Sequence, residues 1–234
     1  MTLTLQQATE RQDEYHPNSL VSARLHDKTL IMFVSPAACG KTYLMDAIRK
    51  RHEDFKQVID FTTREPRSDD DPALFRYLPH DQPHIQEILH KIAVGELVQY
   101  VVHPSGRFYG TEIADFPGQY NMLAMLASAV ETMRDIPFQQ TFTVGVVTYP
   151  ELWEEWFTHR FPTGHPERER RLNEAIVSLT WLKSQDPSSI IWAVNTPEAT
   201  ERTAKSIINA IVYNKSSEGA ALVDAMLEKA ENMR

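Results

Sequence analysis

Apolar positions along the chain alternate between two periods. Residues 30–34 (Leu-Ile-Met-Phe-Val) are a short uninterrupted apolar run, the pattern of a buried strand. A turn follows, and across 42–52 the apolar residues Leu44, Met45 and Ile48 recur at helical spacing. Arg49, Lys50, Arg51 and His52 close that helix, where positive charge complements the exposed carbonyls of the last turn. A second strand is expected at 58–62, then a charged, Pro-containing loop, then an extended segment at 74–78. Residues 85–94 predict a helix, 97–102 a strand, and His103-Pro104-Ser105-Gly106 a chain reversal. Residues 122–126 fit either strand or helix, and 141–148 predict a clearer strand. After Pro150, the residues Leu152, Trp153, Trp156 and Phe157 share a helical face, and Pro166 opens a helix with Leu172, Ile176 and Leu179 on one stripe. Residues 190–194 form the last strand, Pro197 introduces a helix to about Val212, and 220–233 form a separate amphipathic helix.

Strands alternating with helices predict an α/β fold with a mostly parallel sheet covered on both faces. In such sheets ligands gather at the carboxyl ends of the strands. The 234 residues fit one domain with short extensions. The first 26 residues show no clear period and are expected to be an N-terminal extension that packs on the core.

Composition removes several classes. At 42% hydrophobic and 24% charged residues the chain matches a globular protein, not a disordered, collagenous or coiled-coil one. Cys39 is the only cysteine, so neither a disulfide scaffold nor a cysteine zinc site is indicated. The longest apolar runs are too short to cross a bilayer, and the start lacks a basic-then-apolar leader; no membrane partner and a cytoplasmic location are expected. A net charge of −8 opposes broad nucleic-acid binding. Against it stand two arginine islands, Arg64, Arg67 and Arg76, and Arg160, Arg168, Arg170 and Arg171, which suit small phosphorylated ligands.

Between the first strand and its helix lies Ser35-Pro36-Ala37-Ala38-Cys39-Gly40-Lys41-Thr42. Its Gly-Lys-Thr end fits a phosphate loop, and Ser35 stands where the first glycine belongs. Backbone N–H groups of such a loop surround phosphate oxygens, the lysine adds a point charge, and the hydroxyl one residue later meets Mg²⁺. The ordinary alternative is a chance tripeptide at a helix start. Ala38, Cys39, Gly40, Lys41 and Thr42 are therefore the candidate ATP-binding residues. Thr42 is also the candidate metal ligand, for Mg²⁺ carried with ATP. Cys39 is either a thiolate favoured by the helix N-terminus or a small residue filling space. Trp153 and Trp156 read as packing residues.

About twenty residues downstream, Thr62-Thr63-Arg64-Glu65-Pro66-Arg67 resembles the Thr-Thr-Arg-x-Pro-Arg element of the guanylate kinases. Phe108-Tyr109-Gly110-Thr111 resembles that family's Tyr-Tyr-Gly-Thr/Ser, and residues 160–171 its arginine-bearing lid. The resemblance covers about 28–212. It implies a P-loop NTPase-type parallel sheet flanked by helices, with a small acceptor-binding lobe (about 62–112) and a lid (about 158–172). These lie inside a domain spanning 27–213, preceded by the 1–26 extension and followed by a helical extension at 214–234. It implies that Arg64, Arg67 and Tyr109 hold the acceptor phosphate, that Phe75 stands where a phosphate-contacting aromatic hydroxyl is missing, and that Gln99 and Thr111 meet the base. It implies further that Lys41, Arg160, Arg168 and Arg171 act on the transferred phosphoryl, and that Asn195 lies near the adenine or shapes the turn before Pro197.

Two departures bear on activity. Gln99 replaces the family's guanine-reading glutamate, and an amide both donates and accepts, so guanine, hypoxanthine and adenine all fit it. Residues 121–126 lack the carboxylates of the family's Leu-Asp-x-Asp strand. Mg²⁺ is then held by Thr42, phosphates and water, or Asp60 or Asp115 substitutes, or activity is weak or lost. The expected function is an ATP-dependent nucleoside monophosphate kinase acting on GMP or a relative, with small-molecule nucleotides as partners. The alternatives are a kinase of another small phosphorylated acceptor, such as a sugar phosphate, and a non-catalytic guanylate-kinase-like binding module. For the lid arginines the plain alternative is a charged helix face compensated by Glu167 and Glu169. Oligomeric state is left open.

Overall fold

A computed structural model describes residues 3–66, 75–103, 105–213 and 219–234. In chain order these form α1 (Leu5–Arg11), α2 (Ser19–Leu25), β1 (Thr29–Val34), α3 (Lys41–Arg51), β2 (Phe55–Gln57), β3 (Asp60–Thr62) and β4 (Phe75–Tyr77). There follow α4 (Gln82–Val94), β5 (Leu97–Val102), β6 (Phe108–Glu112), β7 (Tyr120–Met125), α5 (Val130–Arg134) and β8 (Gln140–Val147). The chain ends with α6 (Pro150–Arg160), α7 (Arg168–Ser184), β9 (Ile190–Val194), α8 (Thr200–Tyr213) and α9 (Leu222–Asn232). They divide into two compact units.

The unit comprising Leu30–Phe55, Met122–Val130 and the described parts of Thr141–Arg234 is built on a five-stranded parallel sheet in the order β2-β7-β1-β8-β9. β1 is its centre and is buried at every position, which is why its sequence is uniformly apolar rather than alternating. β8 and β9 pair in parallel from Thr143↔Ile190 to Val147↔Val194. Helix α3 packs on α8, and α9 packs on α6 and α7, burying Val223, Met226 and Ala230. The C-terminal helix that the polar stretch sets apart in sequence thus belongs to this unit.

The other unit comprises the described parts of Met1–Thr29, Lys56–Asn121 and Glu131–Gln140. Its sheet runs β4-β3-β6-β5, with β3 parallel to β4 and antiparallel to β6, and β5 antiparallel to β6. Phe61, Ile88, Leu89, Ile92, Leu97, Tyr100 and Phe108 form the core between this sheet and α4, joined by Ala8 of α1. The N-terminal segment is bound in: the Tyr100 hydroxyl donates to the Ala8 carbonyl (2.8 Å) and the Tyr15 hydroxyl to the Leu97 carbonyl (2.8 Å).

Two expectations are corrected and one open reading is settled. The strand expected at 58–62 is shorter, β3 at Asp60–Thr62, and a separate strand that was not expected, β2 at Phe55–Gln57, precedes it in the other sheet, with buried Val58 and exposed Ile59 in the link between them. Residues 122–126 fall mostly in strand β7, not a helix. Helix α4 begins at Gln82 rather than 85, since the Asp81 carboxylate accepts from the His84 N–H and Pro83 sits in the first turn.

Candidate functional site

In the unit built on the five-stranded sheet the chain leaves β1 at Val34 and enters α3 at Lys41. Three carbonyls of the intervening loop are tied to the protein body. Ala37 O accepts from the Trp153 indole N–H (2.8 Å), Cys39 O from Asn195 Nδ2 (3.0 Å), and Ser35 O from Lys41 Nζ (3.0 Å). In a trans peptide the next residue's N–H points opposite to the carbonyl. Tying down Ala37 O and Cys39 O therefore turns the Ala38 and Gly40 N–H groups the other way. Neither N–H makes a hydrogen bond to another described residue. Both Ala38 (φ 64°) and Gly40 (φ 75°) are left-handed, the alternation that builds an anion-binding nest. Gly40 is the cap of α3 and offers no side chain to its first-turn N–H groups, so the helix start keeps its donors and positive dipole end for a ligand. A Cβ at Gly40 would stand 2.4 Å from Asn195 Nδ2. Glycine is required there twice over, by conformation and by contact.

Ser35, the departure from the motif, costs no backbone strain, since its φ is not positive. Its hydroxyl accepts from Lys41 Nζ (2.8 Å) and donates to Pro36 O (2.8 Å). Burial pulls the Lys41 ammonium down to about 8; Cys39 opposes this, Arg160 and Arg171 add to it, and Glu174 opposes it. Three cations thus share one neighbourhood in this unit. Thr42 is exposed one residue into α3. Cys39 is buried and its thiol is pushed up to about 12 by that burial, which removes the thiolate alternative and leaves the space-filling one. Asn195 lies under the loop: besides holding Cys39 O, its Oδ1 accepts from the Thr200 hydroxyl (3.0 Å).

The arginines at the α6–α7 connection are engaged. Arg168 Nη1 donates to Phe161 O and its guanidinium stacks over Phe157 at 5.4 Å. Arg160 lies over Phe161 at 5.4 Å. Arg171 pairs with Glu174 (2.9 Å) and Glu167 (3.3 Å), and Arg170 bridges the same two carboxylates. The compensating acids are therefore Glu167 and Glu174, not Glu169, since a helix brings i+3 and i+4 neighbours together. Arg171 Nε is buried without a hydrogen-bond partner among the described residues.

In the other unit the sheet gathers the expected acceptor residues. Strand neighbours share a face, and the pairs Asp60↔Phe75, Thr62↔Tyr77, Thr62↔Tyr109, Val101↔Tyr109 and Gln99↔Thr111 link one face across four strands. Phe75, Gln99, Tyr109 and Thr111 are all on it, opposite the face that Phe61, Tyr100 and Phe108 pack against α4. The Arg64 guanidinium stacks over Phe75 (5.0 Å) and Tyr77 (5.6 Å). Thr62 and Thr63 lock the turn that presents it: Thr62 Oγ1 donates to Phe108 O and accepts from Arg64 N, and Thr63 Oγ1 accepts from Phe108 N. Arg67 lies outside the described residues. Arg76 is neutralised by Glu112 (2.9 Å) and Asp115 (3.1 Å), so it holds the sheet edge and not a ligand.

Sequence reasoning missed two residues. Trp153 packs, being fully buried, yet also anchors the loop through its indole; nothing in the sequence signals that a core tryptophan reaches a loop carbonyl. Tyr77 completes the aromatic bed of Arg64, and its spacing of two from Phe75 was a signal of a shared strand face. As for metal, no cluster of three or more His, Cys, Asp or Glu residues is present among the described residues. Asp115 is taken up by Arg76. Asp60 is pushed up to about 7 by burial and by Asp115. Across pH 4 to 7 the folded chain then holds a proton that the unfolded chain has released, so stability falls as pH rises through that window. Melting temperatures measured at pH 5 and pH 8 should drop less for Asp60→Asn than for wild type; equal drops would show that Asp60 titrates normally.

No family model matches the chain, and no curated protein sequence matches it. Among solved structures it is similar to the guanylate kinase from Anaplasma phagocytophilum, at 18% identity and a TM-score of 0.46 over 82% of this chain and 87% of that one. It is also similar to a fungal RNA kinase, at 10% identity and a TM-score of 0.39 over 88% of this chain and 98% of that one.

Proposed function

We propose that the chain is an ATP-dependent phosphotransferase whose acceptor is a small monophosphate, in the first instance GMP or a related nucleotide. The observation that carries this reading is the loop before α3. Its carbonyls are fastened inward, its Ala38 and Gly40 N–H groups are turned outward, and Lys41 stands at its end within the field of Arg160 and Arg171. Such an arrangement holds the β- and γ-phosphates of a nucleoside triphosphate. Phosphoryl transfer asks chiefly for positioning and for charge to stabilise the equatorial oxygens. Lys41 supplies that charge at the loop, and Arg160, Arg168 and Arg171 supply it from the α6–α7 connection. In the other unit Arg64, on its aromatic bed, and Tyr109 hold the acceptor's phosphate; a guanidinium fork matches two phosphate oxygens. Mg²⁺ arriving with ATP neutralises phosphate charge, and the Thr42 hydroxyl is the side chain placed to meet it. An ion that keeps most of its waters fits a site with so few protein ligands.

The deciding experiment incubates the protein with ATP, Mg²⁺ and each of a panel of nucleoside monophosphates and sugar phosphates, and separates the products. ADP together with one diphosphate product is the expected result. ATP bound with no phosphoryl moved to any acceptor would instead make the chain a binding module, the reading that the carboxylate-free β7 favours.

Lys41 gives an independent check on the loop. With its ammonium drawn down to about 8 when the loop is empty, an incoming polyphosphate raises it again, because opposite charge favours the protonated form. ATP binding at pH 8 is therefore expected to take up a proton fraction that vanishes at pH 6. Calorimetry in buffers of different ionisation enthalpy reads this directly, and heats independent of buffer at pH 8 would rule out Lys41 as the group that meets the phosphates.

A further inference from the structure

The two side chains that fasten the phosphate loop hang from one short piece of chain. Trp153 is set by its backbone N–H, which donates to Tyr149 O (2.9 Å), and Asn195 by its own, which donates to Val147 O (2.9 Å). Residues 147–149, where β8 ends and α6 begins, are therefore the mount of the loop. Between those two carbonyls lies the Thr148 N–H. The Val147–Thr148 peptide is trans, so this N–H points away from Val147 O. That carbonyl is spent on the β9 side, and in the order β1-β8-β9 the N–H is directed toward β1, from which the loop departs.

The acceptor it meets is the thioether of Met226 on α9, with N···Sδ 3.3 Å. Thr148 and Met226 are fully buried, and the Thr148 hydroxyl has no hydrogen-bond partner among the described residues. A buried backbone N–H calls for an acceptor, and here a weak one stands alone. Helix α9 is held in place for this contact from both neighbours. Asp224 pairs with Lys183 of α7 (2.7 Å), and Lys229 pairs with Glu154 of α6 (2.9 Å), the residue after Trp153. On the way into α9, Gly219 runs so near the sheet that a Cβ would stand 3.0 Å from Trp192 Cβ and 3.1 Å from Val194 Cγ2.

We propose that Met226 is a positioning residue for the nucleotide site: its sulfur holds the joint between β8 and α6, and through that joint the Trp153 and Asn195 side chains that shape the loop. The inference rests on the phosphate-binding reading of the loop given above. The C-terminal helix, which lies beyond the stretch resembling the guanylate kinases, is then the back support of the loop. Leucine at position 226 would fill nearly the same volume but accept nothing. The Thr148 N–H would be left buried and unsatisfied, a state that the backbone relieves by moving. Any such movement displaces the two carbonyls that orient Trp153 and Asn195.

The test is ATP titration and thermal melting of wild type, Met226→Leu and Val223→Ala, with the NMR signal of the Trp153 indole N–H assigned by Trp153→Phe. Met226→Leu should bind ATP about three- to tenfold more weakly, part of the cost of a buried N–H that loses its acceptor. In the empty protein its indole proton should move upfield as the bond to Ala37 O lengthens. Val223→Ala removes apolar volume from the same buried stripe of α9 and spares the sulfur. It should lower the melting temperature more than Met226→Leu does and leave ATP affinity and the indole signal as in wild type. Met226→Leu that keeps either the wild-type affinity or the wild-type indole signal overturns the proposal, and the loop reading survives. Val223→Ala that weakens ATP binding as much as Met226→Leu also overturns it, since the helix would then act through bulk packing and not through the sulfur. A wild type that binds no ATP removes the loop reading and this inference with it.

Discussion

ATP binding to Lys41→Met is expected to be about ten- to hundredfold weaker than to wild type, and turnover to fall by about 10²–10³. Methionine keeps the length and the apolar stem of lysine, so the effect isolates the ammonium. In the empty protein that ammonium rests on the Ser35 carbonyl and hydroxyl, two neutral acceptors that a phosphate out-competes. Loss of the ammonium leaves the outward N–H groups of Ala38 and Gly40 in place, because Trp153 and Asn195 fasten the loop independently. Affinity should therefore weaken, not vanish, while the transition state loses its charge partner. Titration calorimetry on both proteins gives the ratio, with a melt to show that the fold is intact. Equal ATP affinities would take away the phosphate role of the loop.

Arg64→Ala is expected to raise the apparent KM for the acceptor by about ten- to hundredfold with the dissociation constant for ATP unchanged. The stacking of Arg64 on Phe75 and Tyr77 fixes its guanidinium plane, so little side-chain entropy remains to be lost when it grips a phosphate. Arg64→Lys should recover only part of the loss. Lysine returns the charge but neither the planar fork nor the same stacking. Acceptor kinetics that match wild type in both variants would make Arg64 a support for the aromatic pair and nothing more.

Much of the sheet-based unit was legible because its signals are local. Residues 30–34 are apolar throughout since β1 is covered on both faces, and Gly40-Lys41-Thr42 falls where strand gives way to helix. The first-turn proline, the cationic last turn of α3 and the stripe of α7 all state their elements within a dozen residues. The other unit was harder to see. β3 and β4 have three residues each, too few for a period to show, and the pairing of β3 with β6 is set by contacts tens of residues away. Asp60 illustrates the limit. In the sequence it is one acid among thirty-two, weighed only as a stand-in metal ligand, and only the register of β3 against β6 brings it toward Thr111. The ties of Trp153 to Ala37 and of Asn195 to Cys39 are of the same kind, spanning 116 and 156 positions. The arginines of α7 show the converse: their helix was evident, and its i+3 and i+4 spacing, which points to Glu167 and Glu174, puts Glu174 in the place expected of Glu169.

The bond between the Trp153 indole and the Ala37 carbonyl makes the protein a reporter of its own occupancy. An indole's emission wavelength follows the electric field along its ring, and here one end of that ring is wired to the peptide that carries the Ala38 N–H. Polyphosphate drawn to that N–H polarises the same peptide and strengthens the carbonyl as an acceptor, so filling the loop should shift the colour of a fully buried tryptophan. Three other tryptophans add their own emission. An unlabelled sample in a fluorimeter would then register nucleotide arrival as a change of hue, and Trp153→Phe would leave the signal blind to it.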